Sequence, residues 1–369
     1  MKAFLNSITL VTVNIKDEIR GQNVNFGGKT VNQTEFMMQL LRKIAFPISL
    51  IYALVVHVRN FLFDVGLFKS SSFNTPTICV GNLSTGGTGK TPMIEYLVEF
   101  LKKKNKVAVL SRGYRRRSKG FVLATSDSSV EDIGDEPYQI YSKHPDIVVA
   151  VDADRCNGIR KLEHSRNPNV ILLDDAFQHR RVKPHFSILL TAYDNLYTND
   201  WFLPTGNLRD SKREAKRANL IVITKCPAQL NAKKQSEIIK MLNPKSHQDV
   251  LFSSFSYDQD IKGNTSSIVL DDLLGKRFTL VTGIANPKSL VNYLKSKGME
   301  FEHLKYKDHH FFSPSEIELL NSKKFVLTTE KDFVRLKGKV SNLNYISVKH
   351  EFLENGASVL EQAVNGIRH

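Results

Sequence analysis

Along most of this chain, apolar residues fall into short continuous runs separated by helix-sized intervals. Ile78 to Val80, Val107 to Leu110, Ile147 to Val151, Val170 to Leu173, Ile188 to Leu190 and Leu220 to Ile223 are each flanked by polar turns. Strands of this kind are buried on both faces, so the pattern predicts an α/β fold with a doubly wound parallel sheet between helices. Ile94, Leu97, Val98 and Leu101 recur at helical spacing and predict a helix with one buried face; Asn231 to Met241 predicts a soluble one. Around 257–270 the chain turns polar, which predicts a domain boundary. A second, smaller α/β unit then follows, with strands Phe278 to Thr282, Phe301 to Tyr306, Phe325 to Leu327 and Tyr345 to Val348. The expected division is 71–262 for the first domain and 263–369 for the second.

The amino-terminal part differs in character. Residues 1–36 are rich in Asn, Gln and Gly and carry no secretory signal, so they are expected to be a disordered extension or an over-long start before Met37 or Met38. Residues 37–70 hold the apolar run Ile44 to Val58, flanked by Arg42, Lys43 and Arg59 and interrupted by Pro47. Such a run is short of the ~20 residues that span a bilayer. A helix lying in a membrane interface and a helix packed on the domain's own sheet both account for it.

The chemistry centres on Pro76 to Leu101, PTICVGNLSTGGTGKTPMIEYLVEFL. A strand, a glycine-rich turn and a helix follow one another in the order of a phosphate-binding P-loop. Gly86, Gly87, Thr88 and Gly89 would turn backbone N–H groups inward, and the helix start adds a partial positive charge. Lys90 would reach the β- and γ-phosphates and Thr91 would ligate Mg²⁺. Ser84 stands where the strict motif G-x-x-x-x-G-K-[ST] has its first glycine.

Ligands of doubly wound sheets sit beyond the carboxyl ends of the strands. There the chain places Arg112, Arg115 and Arg116; Asp174, Asp175, Gln178 and His179; and, in LPTGNLR, Arg209. An apolar strand ending in Asp174-Asp175 beside a phosphate loop is suited to holding Mg²⁺. Asp135, in Gly134-Asp135-Glu136-Pro137, is either a helix N-cap or a carboxylate placed to take a proton. The arginines at 115–117 form either a solvated face or a phosphate clamp.

Composition narrows the partners. The 369 residues suffice for two cores, and 41% hydrophobic with 24% charged residues describes an ordinary globular chain. Cys79, Cys156 and Cys226 have neither disulfide nor zinc spacing and read as buried small hydrophobes. The net charge of +15 calls for an acidic partner, a phosphorylated substrate or an anionic membrane surface. No RNA-recognition signature, zinc finger or basic stripe with stacking aromatics occurs, so nucleic acid is not expected.

The ordered series VGNLSTGGTGKTP, SRGYRR, GDEP, DDAFQHRR, LPTGNLRD, VTGIANP, KDHHFF and TTEKD resembles the tetraacyldisaccharide 4'-kinase, or lipid A 4'-kinase, family over roughly residues 40–350. The resemblance implies transfer of the ATP γ-phosphoryl to the 4'-hydroxyl of an acylated glucosamine disaccharide lipid. It also implies a protein bound peripherally at the cytoplasmic face of the inner membrane through its apolar helix, with two α/β/α domains closing on nucleotide; a monomer is expected. Lys90 and Thr91 match the family's phosphate-loop pair, Asp135 its proposed base and His309 the histidine that supports that base. Asp174, Asp175, Gln178 and His179 match its DD-x-x-QH segment. Asp210 stands where many relatives have Glu and is expected to help organise Mg²⁺, while Arg112, Arg115, Arg116, His179 and Arg209 are expected to hold substrate. A peripheral membrane NTPase or nucleotide switch without a lipid acceptor is the alternative. Such switches usually carry Asn-Lys-x-Asp, where this chain has Ile223-Thr224-Lys225-Cys226.

Overall fold

The computed structural model describes residues 23–26, 29–264 and 268–367. Strands β1 (Asn23–Phe26) and β2 (Lys29–Asn32) pair antiparallel, and helices α1 (Gln33–Ile44) and α2 (Phe46–Asp64) follow. The segment 1–36, expected to be a disordered extension or an over-long start, holds these two strands and the first turn of α1 from residue 23 onward; 1–22 and 27–28 lie outside the described residues. Val24, Thr30 and Val31 supply β-branched residues on either side of a Gly-Gly pair, a local hairpin signal that the Asn and Gln content obscured.

The first unit continues through β3 (Thr77–Asn82), α3 (Lys90–Leu101), β4 (Val107–Ser111), β5 (Val122–Leu123), α4 (Val130–Ile133), α5 (Asp135–Lys143), β6 (Val148–Val151), α6 (Arg155–Arg166), β7 (Val170–Asp174), β8 (Phe186–Ala192), β9 (Leu220–Thr224), α7 (Ala232–Leu242) and β10 (Asp249–Tyr257). The second unit holds β11 (Asp260–Gly263), β12 (Ile268–Val269), β13 (Phe278–Thr282), α8 (Lys288–Ser296), β14 (Phe301–Lys305), α9 (Pro314–Asn321), β15 (Val326–Thr329), α10 (Glu330–Leu336) and β16 (Leu343–Ile346). The chain ends in β17 (Val348–Phe352) and α11 (Gly356–Asn365).

Nine strands form the large sheet in the order β17-β10-β9-β8-β3-β7-β4-β6-β5, winding outward in both directions from β3. Strands β3, β4, β7 and β9 are buried at every position, as their unbroken apolar runs require. Alternate residues serve opposite faces. Ile78, Val80, Val109 and Leu172 pack with Met93, Ile94, Leu97 and Val98 of α3, while Cys79, Leu110, Ile171 and Leu173 pack with Ile159 and Leu162 of α6.

The expected boundary at 262/263 is corrected at its far end. β17 pairs antiparallel with β10, and Leu360 and Val364 of α11 join the α3 side of the large sheet's core. Residues 348–367 thus belong to the first unit, and the second spans 260–346 with its own six-stranded sheet, β12-β11-β16-β15-β13-β14. The single strand expected at Tyr345 to Val348 is split between the two sheets. β10 reads DVLFSSFSY, with serines inside an apolar run, and its partner lies about 100 residues away; local periodicity could not pair them.

Helix α2 is built inside out. Ser49, Val56 and Asn60 are its buried residues, whereas Leu50, Ile51, Leu54, Val55, Val58 and Phe61 are exposed. Its contacts with the body combine polar groups with aromatic packing: Ser49 Oγ donates to Thr205 Oγ1 at 2.7 Å, Tyr52 Oη donates to the Arg209 carbonyl at 3.0 Å, and Tyr52 and His57 pack edge-on to Phe202. It packs on the 200–210 loop and not on the sheet. With 19 residues it is longer than its apolar run, because helical structure continues through Arg59 to Asp64.

Candidate active site

The phosphate loop leaves β3 at its carboxyl end, at the point from which the sheet winds both ways. Within it the left-handed backbone falls at Gly86 (φ 112°) and Gly89 (φ 87°). A Cβ at Gly89 would also lie 2.9 Å from Phe255 Cζ and 3.0 Å from His350 Nε2, so no side chain fits there. Ser84 needs no such freedom. Its buried hydroxyl donates to Asp200 Oδ2 at 3.2 Å, and it bridges Leu208 of the LPTGNLR segment, which explains why serine can replace glycine at this point.

Three buried contacts hold the loop's shape. Asn82 Nδ2 donates to Thr88 Oγ1 at 2.9 Å, Thr224 Oγ1 to the Thr88 carbonyl at 2.9 Å, and His350 Nε2 to the Gly89 carbonyl at 2.9 Å. The last fixes the His350 tautomer, with Nδ1 accepting from Ser253 Oγ at 2.7 Å. Burial pushes His350 down to about 4, so the ring stays neutral. His350 comes from β17, the strand whose return to the large sheet the sequence did not disclose.

A cavity of about 610 Å³ opens between the two units. The loop residues Ser84 to Pro92, with Arg112, Arg115, Glu136, Asp174, Asp175, Arg209 and Lys225, line one side, and Ile284, Asn286, His309 and Lys331 line the other. Asp174 pairs in register with Val80, which sets its carboxylate beside the loop. Its Oδ2 accepts from Ser111 Oγ at 2.9 Å, while Oδ1 is buried without a hydrogen-bond partner. Burial, with Glu136 and Asp175 nearby, pushes this carboxyl up to about 7. Asp175 receives both arms of Arg209 and lies 3.7 Å from Lys90 Nζ. Burial would raise its pKa, but Lys90 and Arg209 hold it well below the usual carboxylate range. A buried carboxylate oxygen without a partner, in a cavity that Thr91 also lines, is the donor chemistry of a hard divalent cation such as Mg²⁺.

Asp135 begins α5 just after Gly134, whose φ of 93° turns the chain. His309 Nδ1 donates to Asp135 Oδ2 at 2.6 Å and Arg335 Nη2 to the same oxygen at 2.5 Å, both from the second unit. Burial acts to raise the Asp135 pKa; these two donors outweigh it and hold the group well below its ordinary value. Tyr114 packs its ring edge-on to His309 at 5.2 Å, and Arg115 Nη1 donates to the His309 carbonyl at 3.0 Å.

Four expected site residues are placed elsewhere. Asp210 is fully buried and spends its carboxylate on Asn60 Nδ2 (2.8 Å), Arg59 Nη2 (3.1 Å) and the Ser211 N–H (2.8 Å), so it fastens α2 to the body and does not face the phosphate loop. Gln178 donates to the Asn82 carbonyl at 2.6 Å and lies outside the cavity wall. Arg116 is committed to the Gly120 carbonyl of its own loop and the Val151 carbonyl at the end of β6. His179 turns toward Asp154 and Cys156, and burial pushes it down to about 4. The sequence reading missed Lys331, Arg335, His350 and Lys225. For Lys331 and Arg335 the signal was present in TTEKDFVR, whose residues at 331 and 335 share one helix face.

Asp210 carries a direct expectation. Asp210→Ala strands the Asn60 amide and the Arg59 guanidinium, costing about 1.5–3 kcal/mol for each charged hydrogen bond lost. The expected result is proteolytic cleavage near α2 at protease concentrations that leave the parent intact.

The family model for tetraacyldisaccharide-1-P 4'-kinase matches residues 41–365. The chain belongs to that family. A tetraacyldisaccharide 4'-kinase of Flavobacterium johnsoniae is 50% identical over 324 residues, covering 86% of this chain and 95% of the relative. One from Bacteroides thetaiotaomicron is 44% identical over 316 residues, covering 80% and 83%. Among solved structures, LpxK from Aquifex aeolicus in complex with ATP superposes with a TM-score of 0.72 at 27% identity, covering 89% of this chain and 100% of the other. The chain is thus a phosphotransferase of P-loop α/β architecture, and membership covers both units together with α2.

Proposed function

We propose that this chain transfers the γ-phosphoryl group of ATP to the 4'-hydroxyl of a tetraacylated glucosamine disaccharide 1-phosphate. The observation that carries the reading is the cavity itself, in which the phosphate loop and the Asp174-Asp175 pair face His309, the partner of Asp135, across the junction of the two units. Phosphoryl transfer asks the protein mainly for positioning and charge neutralisation. Lys90 and the backbone of the glycine loop receive the β- and γ-phosphates, and Arg112 and Arg115 stand in the same wall. The acceptor oxygen attacks phosphorus, the bond to the β-phosphate oxygen breaks, and the hydroxyl proton passes to Asp135, whose Oδ2 is anchored by His309 and Arg335. Thr91 and Asp174 would hold Mg²⁺, which would neutralise charge on the phosphate oxygens.

The lipid nature of the acceptor agrees with α2. An outward apolar face and an inward polar one reverse the usual pattern of a helix on a soluble domain. We assign this face to the cytoplasmic surface of the inner membrane, where ATP and a lipid acceptor are both within reach. Burying each of these side chains is worth about 1.5–3 kcal/mol. The triple variant Leu50→Ser, Leu54→Ser, Phe61→Ser is therefore expected to cut co-sedimentation with anionic vesicles at least about tenfold while leaving ATP binding intact.

The test of the activity uses purified protein, ATP-Mg²⁺ and the tetraacylated disaccharide 1-phosphate in detergent micelles, with mass spectrometry of the lipid. A gain of one phosphate is expected. ATP hydrolysis without phosphorylated lipid would overturn the reading in favour of a nucleotide switch.

A further inference from the structure

Lys331 lies in the first turn of α10, on the second unit, with its ammonium against the cavity. Nζ is 3.1 Å from His309 Nε2, 3.2 Å from Glu136 Oε1 and 3.9 Å from Asp308 Oδ1. An ammonium has donors only, and an ionised carboxylate has acceptors only. His309 Nε2, facing Lys331, must therefore accept, and Nδ1, facing Asp135 at 2.6 Å, must donate. Arg335 Nη2 also lies 3.2 Å from Nδ1, but it donates to Asp135 Oδ2, so Nδ1 keeps its own proton for that carboxylate and these three neighbours together write the imidazole as one neutral tautomer. A second proton on Nε2 would set two donors against each other. Asp308 Oδ2, 3.8 Å from Nε2, is the nearest acceptor that could relieve that clash, but it is half-exposed and also faces Lys331.

We propose that Lys331 is a positioning residue for the phosphoryl transfer, acting through His309. By donating to Nε2 it keeps the imidazole neutral, so that His309 gives Asp135 a hydrogen bond rather than a full positive charge. The carboxylate, already held below its ordinary value by His309 and Arg335, is then spared the further lowering that a charged imidazole would bring, and it accepts the proton on Oδ1, which receives a hydrogen bond from none of the described residues. In the balanced step the acceptor O–H proton moves to Asp135 Oδ1, the acceptor oxygen bonds to the γ-phosphorus, and the electron pair of the broken bond leaves with ADP. This assignment rests on the kinase reading above. It also gives the contact between the units a chemical role, since Lys331, His309 and Arg335 all reach Asp135 or its neighbour Glu136 from the second unit.

The bland alternative is that Lys331 is only a tether, through its ion pair with Glu136. Two readouts separate these roles. The first is the ¹⁵N spectrum of His309 in histidine-labelled full-length protein, assigned by its loss in His309→Gln. One protonated and one unprotonated ring nitrogen are expected at pH 7, and Lys331→Met is expected to show both nitrogens protonated while the other histidine signals stay in place. The second is steady-state kinetics with the lipid acceptor. Lys331→Met should lower kcat about 10- to 100-fold, part of what a general base supplies, with KM for ATP within about threefold. Lys331→Arg, which still donates to Nε2, should restore the parent spectrum and most of kcat. An unchanged His309 spectrum in Lys331→Met would overturn the proposal, as would a loss confined to KM. The spectrum is read on the resting protein, so it stands apart from the lipid assay. Should the parent protein fail to phosphorylate lipid, the kinase reading falls, whatever the imidazole shows.

Discussion

Replacing Asp135 with asparagine lowers kcat for lipid phosphorylation by about 10²- to 10⁴-fold, with KM for ATP changed by no more than about threefold. The size follows from the task. Asparagine is nearly the same shape and still presents an oxygen to His309 and Arg335, but it cannot take a proton. Lys90 and the glycine loop, the proposed nucleotide contacts, line the cavity, whereas Asp135 is not among its lining residues and meets it through His309, so ground-state binding is expected to be left alone. Asp135 is also where the two units meet chemically, which makes docking a necessary control. In Asp135→Asn, Lys143 of α5 still joins Glu95 of α3 (2.6 Å) to Glu330 of α10 (3.1 Å), and Lys331 still reaches Glu136 (3.2 Å). The units therefore stay together, and small-angle scattering of the variant should match the parent. Near-full kcat in Asp135→Asn would remove the base from this site.

Lys90→Met is the second large effect, expected to reduce kcat by about 10²- to 10³-fold, the usual cost of removing one preorganised charge from a phosphoryl or oxyanion site. Here the loss has an added component. Asp175 is held below the usual carboxylate range by Lys90 together with Arg209, and it sits beside Asp174, which is pushed up to about 7. Removing the ammonium leaves buried Asp174 beside half-buried Asp175, with Arg209 as the main cation of the pair. Unlike Asp135→Asn, Lys90→Met should therefore weaken nucleotide binding as well as catalysis. Titration calorimetry with a non-hydrolysable ATP analogue reads this directly, and unchanged affinity would show that Lys90 does not reach the nucleotide phosphates.

The local elements were legible because their signals are local. The apolar runs at Ile78, Val107, Val170 and Leu220 are strands buried on both faces, as short apolar runs of three or four residues between polar turns predict. The loop from Gly81 to Thr91 could be read as a phosphate cradle from its glycines and its Lys-Thr pair, and Asp174-Asp175 from its place at a strand end. Ser84 looked like a departure and proves harmless, since the backbone there is not left-handed and its hydroxyl has a buried partner in Asp200.

What failed depended on distant pairings. Asp210 and Gln178 were expected at the Mg²⁺ site because they match positions of the family's motifs, close in sequence to Arg209 and Asp175, which do line the cavity. Yet successive residues of an extended segment point in opposite directions, and Asp210 turns away to meet Asn60 about 150 positions earlier. Arg116 likewise parts from Arg115, which reaches the His309 carbonyl while Arg116 binds its own loop. The second unit's end at Ile346 was hidden because a strand's partner is chosen by the whole sheet, and β17 finds β10 across the entire second unit.

By itself, then, the sequence determined the strand and helix periodicities, the phosphate loop and the set of charged residues available at strand ends, all properties of neighbours within one turn or one strand. Tertiary structure alone decided which of those charges face one cavity, because the side chains that do so come from both units. His309 and Arg335 reach Asp135, His350 supports Gly89, and the outward apolar face of α2 exists only because Asp210, Thr205 and the Arg209 carbonyl hold its polar side inward.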